Sequence, residues 1–105
     1  MILYRKAIRD KIPDIVKKSG NDCNVRTLPD NEFLSELERK LGEELDEYLE
    51  SKSVEELVDV IEVVYRIAEL KGVSREKLET LREEKASQRG KFKENLFLVD
   101  VQKKN

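Results

Sequence analysis

Histidine and tryptophan are absent from this chain, and cysteine occurs once, as Cys23. A lone thiol cannot close an intrachain disulfide. Without histidine, neither a zinc site nor a Cys-His catalytic pair has its usual ligands. Cys23 reads as an inert thiol. Long apolar stretches are also missing: no run approaches the roughly 20 residues that a membrane span requires. The opening Met1-Ile2-Leu3-Tyr4-Arg5-Lys6 lacks the apolar core of a signal peptide. The expected address is the cytoplasm, and any catalysis has to come from carboxylates and bases.

Charge is what the chain has in excess. Charged residues make up 42% of it and hydrophobic ones 38%, a balance that suits amphipathic helices better than a sandwich of alternating strands. The net charge of −2 conceals a segregation. Residues 1–29 carry 7 basic and 3 acidic side chains, for +4; residues 30–62 carry 3 and 13, for −10; residues 63–105 carry 11 and 7, for +4. The acidic middle repels a nucleic-acid backbone and attracts cations, and the basic flanks suit phosphate once a metal screens the carboxylates. On composition alone, a solvated acidic face is the simpler explanation. A length of 105 residues fits one domain, at a size where oligomerisation often supplements a modest core, so a homodimer or homotetramer is expected.

The periodicity predicts an all-α bundle of about four helices. Ile8, Ile12, Ile15 and Val16 have helical spacing, and Pro13 places the start of the first helix near Ile12. Asp30 is a candidate N-cap for a second helix to about Glu50, with Leu34, Leu37, Leu41, Leu45 and Tyr48 on one stripe. Ser53 begins a third helix that stops at Gly72; its apolar residues cover more than half the circumference, which makes it the central element. Ser74 caps a fourth helix ending at Gly90, with Val73 and Leu78 at hydrophobic-staple positions. Residues 24–28 and 95–101 alternate or run apolar and are candidates to pair as a two-stranded β flap. Lys103-Lys104-Asn105 is expected to fray.

Four carboxylates stand out. Glu44 and Glu47 are i, i+3 neighbours on helix two, about 60° and 120° from Leu41 and on the same side of the apolar stripe. Glu56 and Asp59 repeat the spacing on helix three, with Glu56 at the rim of its apolar arc. The break at residues 51–53 is short, so the two helices should be antiparallel neighbours with these residues near the closed end. Converging carboxylates repel and raise one another's pKa, a conflict that a divalent cation removes. Oxygen-only ligation suits Mg²⁺, with Mn²⁺ as the alternative.

Glu43-Glu44-Leu45-Asp46-Glu47 followed by Glu55-Glu56-Leu57-Val58-Asp59 resembles the ExxE and ExxD pair of the MazG-like all-α nucleoside triphosphate pyrophosphatases. Arg9-Asp10-Lys11-Ile12-Pro13 and Lys85-Ala86-Ser87-Gln88-Arg89-Gly90-Lys91-Phe92 are similar to flanking signatures of a short single-domain branch, so the resemblance covers nearly all of residues 1–105. It implies Mg²⁺-dependent hydrolysis of a nucleoside triphosphate to monophosphate and pyrophosphate, often house-cleaning of non-standard nucleotides, by a dimer or tetramer. It also implies metal ligation by Glu44, Glu47, Glu56 and Asp59; for metal-assisted hydrolysis by water, Glu44 and Glu47 are the two candidate general bases. Phosphate contacts would come from Arg9, Lys11, Lys85, Arg89 and Lys91. Eight residues separate Glu47 from Glu56, fewer than is usual in that family.

Simpler roles stand beside these. Ser53-Val54-Glu55-Glu56 is a capping box in which Glu56 would bond back to the Ser53 amide, and this competes evenly with a metal role. Asp59 has no capping alternative; its bland reading is a solvated stripe with Glu55, Glu62 and Arg66, and Glu62 reads as solvated rather than as a ligand. Glu36 and Lys40 form an i, i+4 solubility pair. Phe33, Tyr48 and Phe92 are candidate stacking groups for a base, or ordinary packing. Gly42 in mid-helix marks a close approach or nothing. Two other functions fit the same helices: a non-catalytic oligomeric protein binding through its acidic face, and a phosphoribosyl-ATP pyrophosphohydrolase-like enzyme.

Overall fold

A computed structural model describes residues 1–104. Four helices follow in order: α1 (Ile12–Lys18), α2 (Asp30–Ser51), α3 (Val54–Leu70) and α4 (Arg75–Arg89). The all-α architecture is as the periodicity predicts. Among the described residues no strand forms: residues 24–28 and 95–101 have no regular structure, and the two-stranded flap is not made. Lys103 and Lys104 lack regular structure, and the fraying expected at Asn105 lies outside the described residues.

The helix ends follow their local chemistry with one exception. Ser53 Oγ accepts the Glu55 amide at 3.3 Å, and Ser74 Oγ accepts the Lys77 amide at 3.1 Å, so both serines serve as N-caps. Asp30 does not: it is the first helical residue, Pro29 holds the cap position, and no side-chain bond closes that end. Its carboxylate instead lies in the first turn, where the helix dipole favours it. At the far end of α3, the amide of Val73 donates to the Ala68 carbonyl and that of Gly72 to the Glu69 carbonyl, each at 2.9 Å. Gly72 has φ +83°. This is a Schellman stop, which needs the left-handed conformation that glycine adopts without penalty.

Helices α2 and α3 form the main pairing, and α4 packs against α3 alone. The turn between the first two is a single left-handed residue, Lys52 (φ +60°), followed by the Ser53 cap. So tight a connection forces an antiparallel hairpin. Leu37 from α2, Val63 from α3 and Ala7 from the amino-terminal segment make the buried centre, with Phe33, Leu41, Ile67 and Leu70 packed around it. Leu41, Val64, Ile67, Ala68, Val73, Leu78 and Leu81 line an apolar groove between the hairpin and α4, with both staple residues in it.

Helix α3 is central in topology, but half of its apolar arc is uncovered. Val54, Leu57, Val58 and Ile61 are exposed, as are Leu45 and Leu49 on α2. The radius of gyration is 18.8 Å and the long dimension 68 Å, against about 13 Å for the radius of a compact domain of this length. A Cβ at Gly42 would meet nothing within 4 Å, so no close approach explains that glycine.

Candidate metal centre

The closed end of the α2/α3 hairpin gathers carboxylates. One oxygen each from Glu44, Glu56 and Asp59 lies within 4.8 Å of the others. Residues one helical turn apart share a face, which puts Glu56 and Asp59 together on α3. The antiparallel register that sets Leu37 beside Val63 brings Glu44 opposite them. Glu47, the fourth expected ligand, is exposed and does not join the three. Three residues along α2 turn a side chain by about 60°, which carries Glu47 from the rim into solvent. Glu62 is likewise exposed.

Glu44 is the anomalous member. It is 8% exposed, and it is the one buried charged residue among the described residues. Its Oε1 lies 3.5 Å from Lys40 Nζ, while its Oε2 is buried without a hydrogen-bond partner among the described residues. A buried oxygen left unpaired costs about 1–3 kcal/mol, more when charged. Burial pushes the Glu44 carboxyl above the usual glutamate range. The charge of Glu47 raises it further, Lys40 pulls it down, and Asp59 pushes it up again. Lys40, the expected i, i+4 partner of Glu36, turns the other way along α2 to Glu44, which is desolvated and crowded by carboxylates and has more need of a cation.

The capping alternative for Glu56 is settled by its neighbour. The backbone N–H of Ser53 donates to the hydroxyl of Ser51 at 3.1 Å. The amide that a capping-box glutamate would take is therefore occupied, and Glu56 sits with Glu44 and Asp59.

Asp59 is held from outside the hairpin. Arg9 Nη2 donates to Asp59 Oδ1 at 2.7 Å across fifty residues of sequence. Of the stripe expected around it, Glu55, Glu62 and Arg66 are exposed, with Arg66 paired to Glu69 at 3.4 Å, whereas Asp59 is half-buried and joins Arg9. Arg9 thus lies in the site, though on a carboxylate. Lys11 is exposed beside it in sequence, at the cap of α1. Lys85 and Arg89 are exposed on α4, and Lys91 follows Gly90 beside a shallow hollow lined by Arg82, Glu83, Ala86 and Ser87. No ion pair joins these three to the carboxylates among the described residues. Of the aromatic candidates, Phe33 packs on the core, Tyr48 lies under Lys52 at 5.9 Å, and Phe92 is fully exposed.

The donor set fits a hard divalent cation. It is all oxygen and anionic, it comes from two rigid helices, and it includes a buried oxygen in need of a partner. Lys40, and the hold of Arg9 on Asp59, are the parts of the site that the sequence does not disclose. Lys40 was accessible as the i−4 neighbour of Glu44, whereas nothing local links Arg9 to Asp59.

No helix among the described residues is long and apolar enough to cross a membrane. No protein-family model and no solved structure matches the chain. A stretch of 40 residues, 38% of the chain, is 42% identical to an uncharacterized protein of Mycolicibacterium smegmatis (strain ATCC 700084 / mc(2)155), and it spans 41% of that protein's length.

Proposed function

We propose that the chain is a Mg²⁺-dependent nucleoside triphosphate pyrophosphohydrolase of the MazG-like kind, releasing pyrophosphate and a nucleoside monophosphate in a house-cleaning role. The observation that carries this reading is the unpartnered, buried Oε2 of Glu44 in a group with Glu56 and Asp59. Burying a carboxylate among carboxylates is costly, and a stable fold keeps such an arrangement where a cation offsets it.

In this proposal Glu44, Glu56 and Asp59 hold the cation. Mg²⁺ held there would neutralise charge on the phosphate oxygens and make the phosphorus more open to attack by water. Glu47, exposed one turn beyond Glu44, is free to accept the proton of the attacking water; Glu44 is the alternative base where its raised pKa is not spent on ligation. Basic side chains contribute charge to the polyphosphate, with Arg9 nearest to the carboxylates.

The proposal includes a homo-oligomer, dimer or tetramer. The accessible surface is 9989 Å², whereas a compact 12.3 kDa monomer exposes about 6,100 Å². Part of the excess lies in the exposed segments Met1–Tyr4 and 92–101, and the face formed by Leu45, Leu49, Leu57, Val58 and Ile61 supplies apolar area for an interface.

The decisive experiment is a pyrophosphate-release screen over standard and damaged nucleoside triphosphates, with and without Mg²⁺. Metal-dependent release that Asp59→Asn abolishes supports the reading. No release from any nucleotide, together with Mn²⁺ affinity unchanged in Asp59→Asn, would falsify it.

A further inference from the structure

We infer that Arg9 is an exchangeable counter-ion of the carboxylate group, holding Asp59 in the metal-free protein and yielding it to an arriving divalent cation. This rests on the metal-site reading above and adds a competition within it.

Three carboxylates gather at the hairpin end, and two basic side chains attend them: Lys40 at 3.5 Å from Glu44 and Arg9 at 2.7 Å from Asp59. Together they bring two positive charges, the charge of one divalent ion. They are not equivalent. Lys40 is a half-buried residue of α2 itself, four positions from its partner, and its side chain is only 18% exposed. It is fixed to the wall of the site. The Arg9 and Asp59 side chains are 50% and 40% exposed, and Arg9 belongs to a segment outside the hairpin. Ion pairs so open to water are weak and readily exchanged.

The backbone explains why Arg9 reaches Asp59 without being committed to it. Ala7 is 6% exposed in the cluster with Leu37 and Val63. Val63 lies four residues, about one helical turn, beyond Asp59 on α3, and two residues of extended chain from Ala7 cover about that distance. The carbonyl of Arg9 then accepts the Ile12 amide at 3.1 Å, in the turn that leads into α1. The arginine is therefore anchored through its backbone on both sides, and its side chain can leave Asp59 without unfolding the segment. A guanidinium released beside a bound cation has the planar donor set that matches phosphate. One residue thus serves the carboxylate before metal loading and a polyphosphate after it.

The competition fixes the sign of the test. Mn²⁺ is titrated calorimetrically into the full chain without nucleotide, comparing the parent protein with Arg9→Ala and Arg9→Lys. Removing a competitor of this strength should tighten Mn²⁺ binding by about two- to sixfold in Arg9→Ala. Arg9→Lys, which keeps the charge, should stay near the parent value. Equal or weaker binding by Arg9→Ala overturns the inference and leaves the metal site standing, because it makes Arg9 a support for Asp59 rather than a rival of the ion. No Mn²⁺ binding by the parent protein overturns both.

Discussion

The hydroxyl of Ser51 accepts the backbone N–H of Ser53 at 3.1 Å, and this bond keeps Glu56 available to Glu44 and Asp59. The last residue of α2 thereby occupies the donor that a capping glutamate of α3 would otherwise take. Ser51→Ala frees that amide and lets Glu56 fold back on it. The expected result is a several-fold loss of Mn²⁺ affinity by calorimetry, with a stability change within about 1 kcal/mol because one local hydrogen bond replaces another.

Glu44 gives a prediction with a definite pH sign. Its folded-state pKa lies above the ordinary value, chiefly through burial, with Glu47 and Asp59 adding to the shift against Lys40. The native state therefore holds the Glu44 proton more tightly than the unfolded chain does. Ionising the group destabilises the fold. The penalty is absent below the ordinary glutamate pKa, grows as pH rises through the raised value, and is complete above it. In metal-free buffer, Glu44→Gln should melt higher than the parent protein at neutral pH, and the gap should close on acidification below the ordinary glutamate range. Added Mg²⁺ should raise the melting temperature of the parent protein alone. A variant that melts lower at neutral pH in metal-free buffer would contradict this account of the buried carboxylate.

Asp59 is half-exposed, so its removal should affect chemistry far more than folding. Asp59→Asn is expected to lower Mg²⁺-dependent pyrophosphate release by roughly 100-fold or more. Its melting temperature in metal-free buffer should change little, since only a solvent-exposed ion pair with Arg9 is lost. Glu62→Gln is the control: Glu62 is exposed and outside the three-carboxylate group, and its activity should match the parent protein.

The uncovered apolar face predicts association. Val58 is 58% and Ile61 48% exposed on α3. A glutamate at Val58 costs little in a monomer and is strongly unfavourable inside an apolar interface. Light scattering after size exclusion should find the parent protein as a dimer or tetramer and Val58→Glu as a monomer. A monomeric parent protein would remove the oligomer from the proposal.

Helix positions were legible because they depend on neighbours in sequence. Ser53 and Ser74 cap their helices through amides two and three residues ahead, and the stop at Gly72 is closed by the Gly72 and Val73 amides on carbonyls three and five residues back, so short patterns carry the information. Asp30 was misplaced by one position because a side chain that suits a cap also suits the first turn. The strand-like 95–101 failed for a different reason: alternation records propensity, and a ladder needs a partner edge that the described fold does not supply.

By itself the sequence determined four helices, the acidic middle, and the i, i+3 carboxylates on the two helices flanking a short break. The tertiary structure alone decided which of them meet. Helix packing fixes a rotation about each axis, and that rotation buries Glu44, joins it to Glu56 and Asp59, and leaves Glu47 in solvent. Arg9 reaches Asp59 because Ala7 is anchored in a core formed by residues thirty and fifty-six positions away. Local patterns cannot encode that contact, because it depends on the burial of apolar surface across the whole chain.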